Sequence, residues 1–246
     1  MVASQMTANG STLGHRFVNA RKANVAELAG DVTHQINNVM TSLMVCAEVL
    51  CRPSDNKAET TELAGEILSG LRRCRALSHG FLRVARRPWR PEPEPCDLQQ
   101  LLAGIELVVQ HRFKRAGMEL ELVVAPGLPA VRARPAELDL LLLELLQAGL
   151  QGGCLGQRLL LETQASRPPD TPASGGTDPS PPNALLEVTL SRDSQGGAHE
   201  PTPTREADLD LCRELVTSMG GELSLEPAGP GQSWHATLRL PLEPGR

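Results

Sequence analysis

The sequence is poor in aromatic side chains: they make up 2% of its 246 residues, and tyrosine is absent. Recognition of nucleic acid by base stacking needs aromatic faces, and a net charge of −5 adds no general pull toward phosphate backbones. Nucleic acid is therefore not an expected partner. The N-terminus lacks a basic-then-apolar signal pattern, and no apolar run approaches the ~18 residues of a membrane helix. The richest stretch, LDLLLLELLQAGL, is interrupted by Asp139, Glu144 and Gln147. These absences predict a cytoplasmic protein with no membrane contact of its own. The six cysteines form no C-x-x-C and lie beside no histidine cluster, which argues against zinc and redox motifs.

What is present is a hydrophobic content of 40%, enough for packed cores, in a chain sized for one large or two small domains. Its most informative stretch is ELAGDVTHQINNVMTSLMVCAEVL, residues 27–50. Val25, Leu28, Ala29, Val32, Ile36, Val39, Met40, Leu43, Ala47 and Leu50 recur at gaps of three and four, the period of one helix face. At roughly 100° per residue they centre near Val25, and His34 lies roughly opposite. Asp31 and Asn38 fall one turn to either side of it, on the same predicted solvent face. A histidine aimed at water from an apolar helix does no packing, and a surface histidine without a role is the plain alternative.

The HQINN stretch with its lead-in ELAGDVTH resembles the phosphoacceptor box of sensor histidine kinases, commonly H-E-I-N-N-P after L-A-x-x-x-x-H. The resemblance implies that His34 carries a phosphoryl group on a ring nitrogen, chemistry that suits an exposed neutral imidazole. It also implies a general base or orienter at the next position, which here is Gln35, and a proline where Val39 stands. An amide cannot take a proton, so Gln35 speaks against ATP-driven autophosphorylation. Asn38 matches the position tied to partner dephosphorylation, and Asp31 is a candidate to orient the imidazole.

Residues 1–15 are small and polar and are predicted to fray. Residues 16–87 read as two long helices, about Arg16–Cys51 and Lys57–Arg86, around the turn Pro53-Ser54-Asp55-Asn56. Such a hairpin has two layers and cannot cover both of its apolar stripes. Pairing with a second copy would make a four-helix bundle, so a homodimer is expected. The alternative is that downstream sequence covers the stripes within one chain. The linker 88–96 is proline-rich and cannot be helical, with Trp89 as its candidate anchor.

From 97 to 246 the order is helix (N-cap Asp97, stop at Gly117), two short strands around a Pro-Gly turn, helix, strand, strand, helix (Gly-Gly stop) and two closing strands. The tract 166–183, with six prolines, is predicted to be a disordered loop. This is an α+β chain: a helical hairpin followed by an α/β sandwich with helices on one face of a mixed sheet. The second part resembles the ATPase lobe of histidine kinases. Its end, MGGELSLEPAGPGQSWHATLRLPL, matches that family's closing strands.

The family's Mg·ATP residues can be sought one by one. Its two nucleotide-helix asparagines fall on Glu144 and Ala148, and alanine offers no oxygen to a cation. Its adenine motif D-x-G-x-G falls on 192–196, where Arg192 replaces the acceptor, Asp193 is one position off and Gly196 matches. Its phosphate loop G-x-G-L falls on 206–209, where Glu206 and Asp208 would set carboxylates beside phosphate. Both acids also suit the positive end of a helix. Neither metal nor Mg·ATP is therefore an expected cofactor. The leading expectation is a histidine phosphotransferase that relays phosphoryl groups through His34 between receiver domains of response regulators. The competing expectations are an active, divergent sensor histidine kinase, and a pseudokinase that binds and inhibits a histidine kinase or a response regulator.

Overall fold

The computed structural model describes residues 2–52, 56–151, 157–166, 185–192, 206–226 and 234–242. Two long helices, α1 (Val2–Leu50) and α2 (Lys57–Ala85), form the predicted hairpin and pack along each other. Asn56 caps α2, its side chain accepting from the amides of Ala58 and Glu59 and so satisfying two otherwise orphaned donors. Helix α1 does not start near Arg16, as its polar first residues suggested. It runs from Val2, and its Leu13, Phe17 and Ala20 pack against Ala136, Leu140, Leu211 and Leu215 of the following lobe. Packing from Leu13 onward supports helix at the end of the stretch where composition predicted fraying.

The lobe begins with a short strand, β1 (Glu94–Cys96), so the proline-rich stretch ends as sheet rather than as free linker. Next come α3 (Leu98–Arg115), β2 (Glu119–Val124), β3 (Val131–Ala133), α4 (Pro135–Gln151), β4 (Arg158–Ser166), β5 (Leu185–Arg192), α5 (Glu206–Ser218), β6 (Glu222–Glu226) and β7 (Trp234–Pro241). The caps act as the sequence implied. Asp97 accepts from the amide of Gln100, and Gly117 stops α3 at φ 69°, a left-handed turn that favours glycine. The predicted loop 166–183 lies outside the described residues apart from Ser166, the last residue of β4.

The main sheet runs β2-β4-β5-β7-β6 and is mixed, with β2 parallel to β4 and the other pairs antiparallel. The two strands around the Pro-Gly turn do not pair with each other. β2 joins the main sheet, while β3 pairs antiparallel with β1. Leu159, Leu161 and Thr163 in β4 and Ala236, Leu238 and Leu240 in β7 are buried, with less buried residues between them. This alternation marks a sheet covered on one face by helices.

The hairpin and lobe share one core. Leu28 and Val32 of α1 and Leu77 and Val84 of α2 belong to the same buried cluster as Ile105, Val108, Leu141 and Leu145. Helices α2 and α3 approach closely at two glycines. A Cβ on Gly80 would stand 2.9 Å from Leu107, and one on Gly104 would stand 2.7 Å from the Arg83 guanidinium. The lobe thus covers the half of the hairpin nearest the linker. Beyond it apolar side chains of both helices are exposed: Met44 on α1 is 60% exposed, and Leu71 on α2 is 49% exposed. Met40 and Ala47, assigned to the apolar face by periodicity, also lie outside, while Gln35 is inside.

At the joint, Trp89 donates from Nε1 to Glu137 (3.1 Å), anchoring the linker as its position suggested. Arg87 Nε lies 3.0 Å from the Asp139 carboxylate, although neither of its oxygens receives a well-directed hydrogen bond. Burial pushes the Asp139 carboxyl up from 3.8 to about 6, against the pull of Arg87, Arg21 and Arg83. Between these values the folded protein holds a proton that the unfolded chain releases, so this group's contribution to stability falls as pH rises through the window and is level above it. Relative to Asp139→Asn, the wild type should gain on the order of 2–3 kcal/mol on acidification from about pH 6 to about pH 4. Urea denaturation of both proteins across that range measures the difference.

Candidate functional site

His34 sits on α1 with its ring exposed, as the helix phase predicted. The neighbours nominated by the sequence behave differently from one another. Asn38 is exposed one turn on. Asp31 is not a free solvent-face carboxylate: its side chain is 14% exposed and is held by Arg112 of α3, with Arg115 Nη1 3.7 Å from its other oxygen. Arg112 also reaches Glu27 on α1 (3.3 Å) and Gln147 on α4 (3.1 Å), tying three helices together. A carboxylate paired this way is committed to docking the lobe and is poorly placed to orient an imidazole. Gln35 is 5% exposed and points inward, its Nε2 without a protein partner.

A cavity of about 370 Å³ opens between the two hairpin helices and α3; Gln35, Asn38, Ser42, Glu66, Arg73 and His111 are among its lining residues. Glu66 accepts from the Cys46 thiol (3.3 Å), which together with burial raises that thiol's pKa. A second histidine, His111, joins this site from outside the HQINN box. It comes from α3, and its ring centroid lies 6.2 Å from that of His34, with the planes tilted by 54°. Burial lowers its pKa below 6.5, helped by Arg115, His34 and Arg73 and opposed by Asp31. No local pattern marks it, because the proximity is created by the docking of α3 on α1.

The positions aligned with nucleotide binding are dispersed or committed elsewhere. Glu144 accepts a hydrogen bond from Asn24 Nδ2 of α1 (2.7 Å), and Asn24 is itself buried. Ala148 is buried in the shared core. Arg192 is the last residue of β5, in register with Trp234, and Glu206 and Asp208 fall in the first turn of α5. Gly196 lies outside the described residues, as does Asp193. Among the described residues no group of three or more acidic, histidine or cysteine side chains is placed to hold a metal. Among the same residues, no helix is long and apolar enough to cross a membrane.

No protein-family model matches the sequence. A curated relative, the sensor histidine kinase TmoS of Ectopseudomonas mendocina, is 25% identical over 149 residues, which is 58% of this chain and 15% of that protein's length. Among solved structures, the Acinetobacter baumannii histidine kinase AdeS matches 85% of this chain and 98% of its own at 12% identity and TM-score 0.45. A histidine kinase from Burkholderia phymatum STM815 matches 89% and 97% at 13% identity and TM-score 0.45. At such scores the superpositions carry no argument of their own, and the chain spans about 15% of the length of the curated relative it matches. The chain is a helical hairpin followed by an α/β lobe, and 149 of its residues are similar to part of a sensor histidine kinase.

Removing Arg112 would leave the largely buried Asp31 with only the longer contact to Arg115 (3.7 Å). Breaking a buried pair in this way costs about 3–5 kcal/mol. Arg112→Ala should therefore be destabilised by several kcal/mol in chemical denaturation, and Asp31→Asn in the same background should recover part of the loss.

Proposed function

We propose that this protein relays phosphoryl groups through His34, accepting them from the phosphorylated aspartate of one response-regulator receiver domain and passing them to another. It does so without phosphorylating itself from Mg·ATP. The observation that carries the reading is an exposed imidazole inside the HQINN box whose following residue is an inward-facing amide. An aspartyl phosphate is already activated, so transfer needs an accessible imidazole and a docking surface. Mg²⁺ for that step belongs to the receiver.

The residues at the aligned nucleotide positions do not fit Mg·ATP. A buried methyl group at Ala148 offers a cation no ligand, and the Glu144 carboxylate is engaged by Asn24 of α1. The lobe then serves as scaffold and docking surface for the hairpin. The exposed Met40, Met44, Leu68 and Leu71 at the far half of the hairpin favour a second copy as their cover, giving a homodimeric four-helix bundle there. The arginines of α2, among them Arg72, Arg73 and Arg75, suit an acidic receiver surface.

His34→Ala should abolish phosphoryl acceptance from a phosphorylated receiver while leaving receiver binding intact. Persistence of the label in that variant would contradict the reading, and tight binding with no transfer in the wild type would favour a purely sequestering module. Asn38→Ala should slow receiver dephosphorylation without blocking docking. Separately, Met44→Glu with Leu71→Glu should shift sedimentation from dimer to monomer. An unchanged sedimentation coefficient would place the dimer contact elsewhere.

A further inference from the structure

We propose that His111 is the proton acceptor for His34 during phosphoryl transfer, a role supplied from the lobe because neither neighbour on α1 can fill it. The inference deepens the relay reading and rests on it for the identity of the natural donor. The geometry is local and specific. His111 of α3 and His34 of α1 bring their rings to 6.2 Å between centroids, and His111 also lines the cavity between the hairpin and α3. Gln35 is an amide turned inward, and Asp31 is held by Arg112 and Arg115. Among the described residues nominated beside His34, this leaves no other free base on α1.

The charged and titratable groups around His111 are Arg115 on its own helix, Asp31 and His34 on α1, and Arg73 on α2. Burial, Arg115, His34 and Arg73 outweigh the opposing pull of Asp31 and favour the unprotonated ring, the form in which a base acts.

The step balances as follows. One ring nitrogen of His34 forms the bond to phosphorus as the bond from phosphorus to the donor oxygen breaks, its electron pair leaving on the donor's aspartate carboxylate. The proton on the other ring nitrogen of His34 passes to His111. Losing that proton makes His34 a poor leaving group and retains the phosphoryl group. Returning it from protonated His111 makes His34 a good leaving group toward the next aspartate. One proton thus serves both directions of a relay.

Potassium phosphoramidate, a small donor that phosphorylates histidine directly, tests the idea without a receiver. In that reaction the donor's phosphorus–nitrogen bond breaks and ammonia leaves. The rate of labelling at His34 is followed by mass spectrometry from pH 5.5 to 9 in the full chain, in His111→Ala and in His111→Gln, with His34→Ala as the blank and circular dichroism to confirm folding. The expected result is a loss on the order of 100-fold in both His111 variants. They should also show a shallower acid limb than the wild type, and added imidazole should partly rescue His111→Ala. Equal rates and profiles in all three would overturn the proposal. So would a rate loss with an unchanged acid limb and no rescue, which assigns His111 to packing, or a wild-type His34 that takes no label. Because no receiver enters the experiment, failure of the relay reading and failure of this one are separable.

Discussion

Arg112 stands where three helices meet, its guanidinium buried against Asp31 and Glu27 of α1 and Gln147 of α4. A buried cation is tolerated only when its donors are spent on partners, and Arg112 spends them across the boundary between hairpin and lobe. That bond fixes the roll of α3 on α1. The glycine contacts at Gly80 and Gly104 fix how closely α3 approaches α2. With roll and distance set, His111 must arrive beside His34, and the cavity that His111 lines with Gln35, Asn38 and Arg73 must form. The same docking removes Asp31 from the imidazole's service.

The interplay of docking and chemistry extends to the nucleotide face. Asn24, three residues before Glu27 on the same helix, donates to Glu144, and further up α1 Phe17 packs onto α4 and α5. Helix α1 therefore touches the lobe at each of these levels and ends up as part of its core. The two long helices are no free-standing hairpin with a lobe on a tether: the linker is pinned by Trp89 to Glu137, and the joint carries a buried Asp139 beside Arg87. The half of the hairpin beyond this joint keeps apolar side chains in solvent, which is where a second copy has room to act.

Local signals in the sequence were legible because the physics behind them is local. Asp97 and Gly117 bound α3 by capping and by a left-handed turn, and strand-like segments fell where β4 and β7 form. The long α1 and α2 followed from their periods. The failures share one cause. The start of α1 and the acid at Asp31 were read from their own helix, and His111 carries no mark on its own. Each is decided by a partner from another: α4 and α5 for Leu13 and Phe17, α3 for Asp31, and α1 for His111. Rotating the predicted stripe of α1 by less than one residue places Gln35 inside and Met40 outside. Periodicity among ten apolar positions does not resolve so small an angle when a second helix chooses the face.

The central claim is that His34 is supplied from another protein and not by the lobe behind it. Incubating the purified full chain with Mg²⁺ and radiolabelled ATP, beside a parallel incubation with a phosphorylated receiver, measures this most directly. The account predicts acid-labile label on His34 from the receiver and none from ATP. Label from Mg·ATP in the purified protein would contradict it.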